Sequence, residues 1–91
     1  MNTEEYYVLY TKYVIACFGE ESFEASNCYF LLGTFFSEEG WFNKAIACFE
    51  KSAKIRGQFA GDCMFNIGVL HRMMGNLPKA LQTLEVSLKL R

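Results

Sequence analysis

The side chains in this sequence that could do chemistry are few and scattered. There are two carboxylate pairs, Glu20-Glu21 and Glu38-Glu39, one histidine, His71, and four cysteines, Cys17, Cys28, Cys48 and Cys63. Acid–base catalysis by paired carboxylates needs groups that converge on a cleft. Both pairs instead fall where a hydrophobic pattern stops, as solvated helix ends do. No cysteine belongs to a C-x-x-C pair, and His71 stands apart from any zinc-site spacing. Four thiols in four separate apolar segments read as buried, reduced cysteines of a cytoplasmic protein, with a disulfide or metal framework as the alternative. No Ser/His/Asp set and no phosphate-binding loop is present. The expectation is a chain that is not an enzyme, with no catalytic residue, no cofactor and no metal.

The composition narrows the class further. Ninety-one residues make one small domain or a piece of a larger one. At 52% hydrophobic and 16% aromatic, the chain has enough apolar surface to fold. The net charge is −1 and no Lys/Arg run occurs, which argues against nucleic acid as a partner. The longest apolar stretch, residues 13–18, is far too short to span a bilayer, so no membrane insertion is expected. Glu4 and Glu5 stand where a secretory signal would carry basic residues.

The pattern predicts an all-α chain of about five helices. Residues 3–18 form the first, with Tyr6, Tyr10, Tyr13 and Cys17 as its apolar stripe and Tyr7 and Val14 beside it. Its residues are β-prone too, but no turn signal interrupts the run before Gly19, the expected left-handed C-terminal residue. Ser22 caps a second helix that Gly40 ends. Residues 41–56 form the third. Phe42, Ile46, Phe49 and Ala53 make one stripe, Ala45, Phe49 and Ser52 a second, and Lys44, Lys51 and Lys54 face outward. After Gly57, residues 62–74 form the fourth, ended by Gly75. Asn76 caps the fifth, with Pro78 in its first turn, where a missing N–H costs nothing. This helix carries Ala80, Leu81, Leu84, Ser87 and Leu88 and reaches Arg91, whose charge with that of Lys89 suits a helix C-terminus.

Residues 26–56 align without gaps on residues 61–91, a shift of 35. Ten of 31 positions are identical: Cys28/Cys63, Phe30/Phe65, Gly33/Gly68, Gly40/Gly75, Lys44/Lys79, Ala45/Ala80, Glu50/Glu85, Ser52/Ser87, Lys54/Lys89 and Arg56/Arg91. Such agreement marks a repeated helix–turn–helix unit stacked as a solenoid. Gly33 and Ala45 are small where two antiparallel helices cross, and Phe36, Phe42 and Phe49 fill the space beside them.

This pattern resembles the tetratricopeptide repeat, with its small residues at the eighth and twentieth positions, here Gly33 and Ala45, then Gly68 and Ala80. Tyr29, Phe36, Phe42 and Phe49 occupy the large-residue positions of the first copy. Met64, His71, Leu77 and Leu84 occupy those of the second. Ser52 and Ser87 stand where alanine is usual, and Gly57 replaces the closing proline. The resemblance implies an antiparallel helix-hairpin solenoid with a right-handed superhelical course. It divides the chain into residues 1–21, a lone helix similar to the second helix of a preceding repeat plus its loop, and two repeats, 22–57 and 58–91. Residues 18–22 also resemble the inter-repeat loop of kinesin light chain-type repeats, without that family's His-Pro. In this reading Thr3 takes the small position of the lone helix.

The resemblance also implies where function lies, on the concave face lined by the first helix of each unit. It assigns Asn27, Phe30, Leu31, Thr34 and Ser37 to that face from one copy, and Asp62, Phe65, Asn66, Val69 and Arg72 from the next. Asn66 matches an asparagine that bonds a bound peptide's backbone in many such repeats, and Arg72 is the one basic residue of the set. Phe30 and Phe65 occupy the lysine positions of the carboxylate-clamp subclass, which argues against that subclass. His71 replaces a core aromatic and is expected to be half-buried. The implied function is a scaffold or adaptor that binds a peptide segment or partner helix in its groove. The alternative is a structural subunit of a cytoskeletal or ciliary assembly whose repeats are permanently buried. Trp41 and the tyrosine stripe offer further aromatic surface, so self-association or docking in a larger complex is expected too. Two and a half repeats should be marginally stable alone.

Overall fold

The computed structural model describes residues 2–90. Among these residues the chain is all-α: α1 (Thr3–Phe18), α2 (Phe23–Glu38), α3 (Phe42–Arg56), a single 3-10 turn (Gly57–Phe59), α4 (Gly61–Met73) and α5 (Leu77–Leu90). Arg91, read from sequence as the end of the last helix, lies outside the described residues. Each helix packs on the next, α1 on α2, α2 on α3, α3 on α4 and α4 on α5. The Cα atoms fill a slab of 37 × 28 × 13 Å. This flat shape follows from stacking antiparallel hairpins side by side instead of gathering helices round one centre.

The helix starts follow local chemistry. Asn2 Oδ1 accepts the Glu5 N–H at 2.8 Å, Ser22 Oγ the Ala25 N–H at 3.1 Å, and Asn76 Oδ1 the Lys79 N–H at 3.4 Å. Trp41 precedes α3 without a side-chain cap. Its indole packs on the rings of Phe35 and Phe36 at 6.3 and 5.8 Å, with Lys44 Nζ 5.0 Å from its centroid. Trp41 is thus both a staple and 43% exposed. Gly19 corrects one expectation. Its φ of 98° is positive but its ψ is 158°, so it leaves α1 in an extended glycine conformation and not a left-handed helical one.

Within each hairpin the crossing is set by a glycine facing a large side chain. A Cβ on Gly33 would lie 3.0 Å from the Phe49 ring, and one on Gly68 would lie 2.8 Å from Leu84 Cγ. Ala45 and Ala80 are buried on the opposite helices. The core gathers Leu32 and Phe36 of α2, Ala45, Ile46 and Phe49 of α3, and Ile67 and Leu70 of α4. Phe49, at 1% exposure, is its largest fully buried side chain. Burying such a residue contributes about 1.5–3 kcal/mol.

Serine replaces alanine beside the crossing, and each such serine finds a partner. Ser52 Oγ donates to the Ser26 carbonyl at 2.9 Å and Ser87 Oγ to the Gly61 carbonyl at 2.8 Å. Both pairs are 26 residues apart, so the second hairpin repeats the first in its polar contacts as well as its apolar ones.

Several expectations are corrected. The stripe of α1 that meets α2 is Tyr7, Thr11 and Val14. Thr11 and Val14 are buried, and the Tyr7 ring lies 5.6 Å from that of Phe35. Tyr6, Tyr10 and Tyr13 are 55%, 44% and 68% exposed, and Cys17 is exposed. Thr11 is tolerated inside because its hydroxyl donates to the Tyr7 carbonyl at 2.8 Å. Thr3, assigned to a small crossing position, is exposed. The four thiols are free, but only Cys28 and Cys63 are buried; Cys48 is half-buried. His71 is buried and not half-buried, and its Nδ1 has no hydrogen-bond partner among the described residues.

Candidate interaction face

The face assigned from sequence is built from α2 and α4. On α2, Asn27, Leu31 and Thr34 are exposed, and Phe30 and Ser37 are half-buried. Phe30 sets its edge against Phe49 at 5.2 Å and 74°, so one side of its ring belongs to the core. Thr34 Oγ1 donates to the Phe30 carbonyl at 3.0 Å, within its own helix. On α4, Asp62, Phe65 and Arg72 are exposed, and Asn66 and Val69 are half-buried. Leu31 and Phe65 are 46% and 44% exposed, which gives both first helices an accessible apolar side chain.

Asn66 makes one bond within its own helix. Its Nδ2 donates to the Asp62 carbonyl at 2.8 Å. An asparagine nitrogen can only donate, so this bond fixes the amide and commits one of its donors to its own helix.

The residue that sequence reasoning missed is Arg56, at the end of α3. Its Nε donates to Ser26 Oγ at 2.6 Å and its Nη2 to Asn27 Oδ1 at 2.8 Å. Nη1 approaches Cys63 Sγ at 3.8 Å, and the guanidinium carbon lies 5.0 Å from the Phe30 ring centre. One side chain therefore joins α2, α3 and α4 and brings a charge to the face that carries Asn27 and Phe30. Behind it the network closes: Ser26 and Ser52 hydroxyls are 3.0 Å apart, and Cys63 Sγ donates to Ser52 Oγ at 3.4 Å. Arg72 is thus not the only cation on this face. A signal for Arg56 was available, since Arg56/Arg91 and Phe30/Phe65 are identical pairs in the 35-residue repeat.

The carboxylates Glu20 and Glu21 line an open cleft of about 570 Å³ with Tyr29, Lys51, Lys54 and Ile55. Its two acids face two bases, and Lys51 Nζ lies 5.4 Å from the Tyr29 ring centre. Burial, then the Glu20 charge, pushes the Tyr29 hydroxyl above its ordinary pKa. Burial also raises the thiols of Cys28 and Cys48, offset in part by the neighbouring Thr11 hydroxyl and by the Lys51 charge respectively. Among the described residues no three metal-ligating side chains gather, and no helix is long and apolar enough to cross a membrane.

Comparison with known families finds the tetratricopeptide repeat over residues 26–59, the stretch that holds most of α2, all of α3 and Arg56 with its partners Ser26, Asn27 and Phe30. No curated protein matches the chain, and no solved structure does. The match falls on the hairpin whose crossing is Gly33 against Phe49, and the same crossing recurs 35 residues later at Gly68 and Leu84. Residues 26–59 are thus matched as one tetratricopeptide repeat, and the hairpin that follows repeats its crossing.

Proposed function

We propose that the chain is a non-enzymatic interaction module, a cytoplasmic scaffold or adaptor that takes a peptide segment or partner helix along the α2–α4 face. The observation that carries this reading is the exposure of Leu31 and Phe65 on the first helices of the two hairpins, with the Arg56 guanidinium between α2 and α4. Accessible apolar anchors beside a charged group are what a peptide-binding groove requires. Proximity labelling with wild type beside Leu31→Glu and Phe65→Glu tests it. Loss of the same partners from both variants is expected, and unchanged partner sets contradict the reading.

A second reading, a structural subunit of a cytoskeletal or ciliary assembly, draws support from a different surface. Tyr6, Leu9, Tyr10 and Tyr13 on α1 and Leu77, Leu81 and Leu88 on α5 are all 44–74% exposed. Contiguous apolar faces of this kind mark surfaces that another protein covers. Salt-resistant co-purification with a large complex, abolished by Tyr13→Lys or Leu88→Lys and untouched by Phe65→Glu, favours this second reading over the first.

A further inference from the structure

Among the described residues the charge of Arg56 has an unusual setting. It is half-buried, and the partners the structure gives it are all neutral: a serine hydroxyl, an asparagine carbonyl, a cysteine sulfur and the face of Phe30. Taking a cation partly out of water without a counter-charge is unfavourable. Neutral hydrogen bonds and the ring face offset some of that cost. A carboxylate would offset more, through charge-assisted bonds of the planar fork.

The count of donors allows one. An arginine has five N–H donors. Among the described residues three are engaged, by Ser26, Asn27 and Cys63, which leaves two. The engaged Nε and Nη2 lock the plane of the guanidinium against α2, so its remaining donors are held in place before any ligand arrives. Preorganisation of this kind lowers the entropic cost of binding.

We propose that Arg56 is the specificity-determining residue of the interaction face, and that it selects a segment with an Asp or Glu side chain flanked by apolar residues. This rests on the interaction-face reading above. An internal acidic side chain fits better than a chain terminus. Half-buried Phe30 and exposed Phe65 offer apolar contact on α2 and α4, and an internal residue has a neighbour on each side to meet them. A terminal carboxylate has only one.

Selection of a random peptide library displayed in two formats, capped and with a free C-terminus, on the immobilised full chain tests this. Enrichment of one acidic position beside apolar residues in the capped format is expected. For a selected peptide, Arg56→Gln and replacement of the peptide's Glu by Gln should each weaken binding about tenfold or more. The two changes together should weaken it little further. Circular dichroism and urea unfolding of Arg56→Gln and Arg56→Lys separate loss of the charge from loss of the fold. The wild-type enrichment stands whatever the variants do. Enriched peptides that lack an acid, yet compete with each other and are lost on Phe65→Glu, overturn the role of Arg56 and leave the face intact. Acid found only as a free C-terminus overturns the internal side chain. No enrichment in either format overturns the face and this inference together.

Discussion

Ser87 Oγ donates to the carbonyl of Gly61 at 2.8 Å, across 26 residues of chain, as Ser52 Oγ does to Ser26 at 2.9 Å. The second bond repeats the first at the crossing of the second hairpin. It shows that the repeat is one of hydrogen bonds as well as of hydrophobic pattern.

The two serines are not equal, however, and the difference is measurable. Among the described residues Ser87 makes one bond, whereas Ser52 also meets Ser26 Oγ and Cys63 Sγ in a site with no exposure. Ser87→Ala should cost about 1 kcal/mol, and Ser52→Ala more, about 1–2 kcal/mol. Urea unfolding with an unchanged slope checks both.

The crossings predict a cost for the smallest possible addition. Gly33→Ala places a methyl 3.0 Å from a Phe49 ring that is itself 1% exposed and has nowhere to go. Overpacking of about 1–3 kcal/mol should outweigh the helix-propensity gain of about 0.5–1 kcal/mol, so the net change is destabilising. Gly68→Ala meets Leu84, which is half-buried and can turn outward. It should be the milder change despite the closer starting distance. A lower urea midpoint for Gly68→Ala than for Gly33→Ala contradicts this.

The thiols should titrate against the fold. Burial raises Cys28 and Cys48 above their ordinary value of 9.0, so the folded chain prefers them protonated. Their contribution to stability is fully present below pH 9.0 and is lost as the pH rises through the folded values. Unfolding midpoints measured from pH 7 to pH 10 should fall at the alkaline end, and Cys28→Ala with Cys48→Ala should flatten that fall. In native protein an alkylating reagent should label exposed Cys17 first and buried Cys63 last.

The outer faces of α1 and α5 predict association and not stability. Tyr13 and Leu88, at 68% and 74% exposure, make little contact within the chain. Tyr13→Lys and Leu88→Lys should change the unfolding free energy by no more than about 0.5 kcal/mol. Size-exclusion chromatography over a range of concentrations should show the wild type growing in apparent size and the double variant remaining small.

Much of the fold was legible in the sequence, for a local reason. Gly33, Ala45, Gly68 and Ala80 mark crossings by their size, and Gly40 and Gly75 mark turns by their positive φ. Such signals need only the residue and its spacing. The face of α1 was misjudged because its large aromatic tyrosines, at regular helical spacing, read as the apolar stripe in place of the smaller Thr11. Burial went to Thr11 because α1 has one neighbouring helix, and a threonine whose hydroxyl bonds its own helix lets α2 approach closely. Arg56 was missed for the opposite reason. Its partners Ser26 and Asn27 are 30 and 29 residues away, and only the closed hairpin brings them within reach.

The central claim is that ligand binds along α2 and α4, on the Arg56 side. Amide chemical-shift mapping of the labelled chain, titrated with a peptide from the selected library, tests it most directly. The account predicts shifts concentrated at Asn27, Phe30, Leu31, Phe65 and Val69, with the Arg56 Nε–H signal moving at the same ligand concentration. Shifts confined to the tyrosines of α1 or to the outer leucines of α5, with Arg56 unmoved, would contradict it.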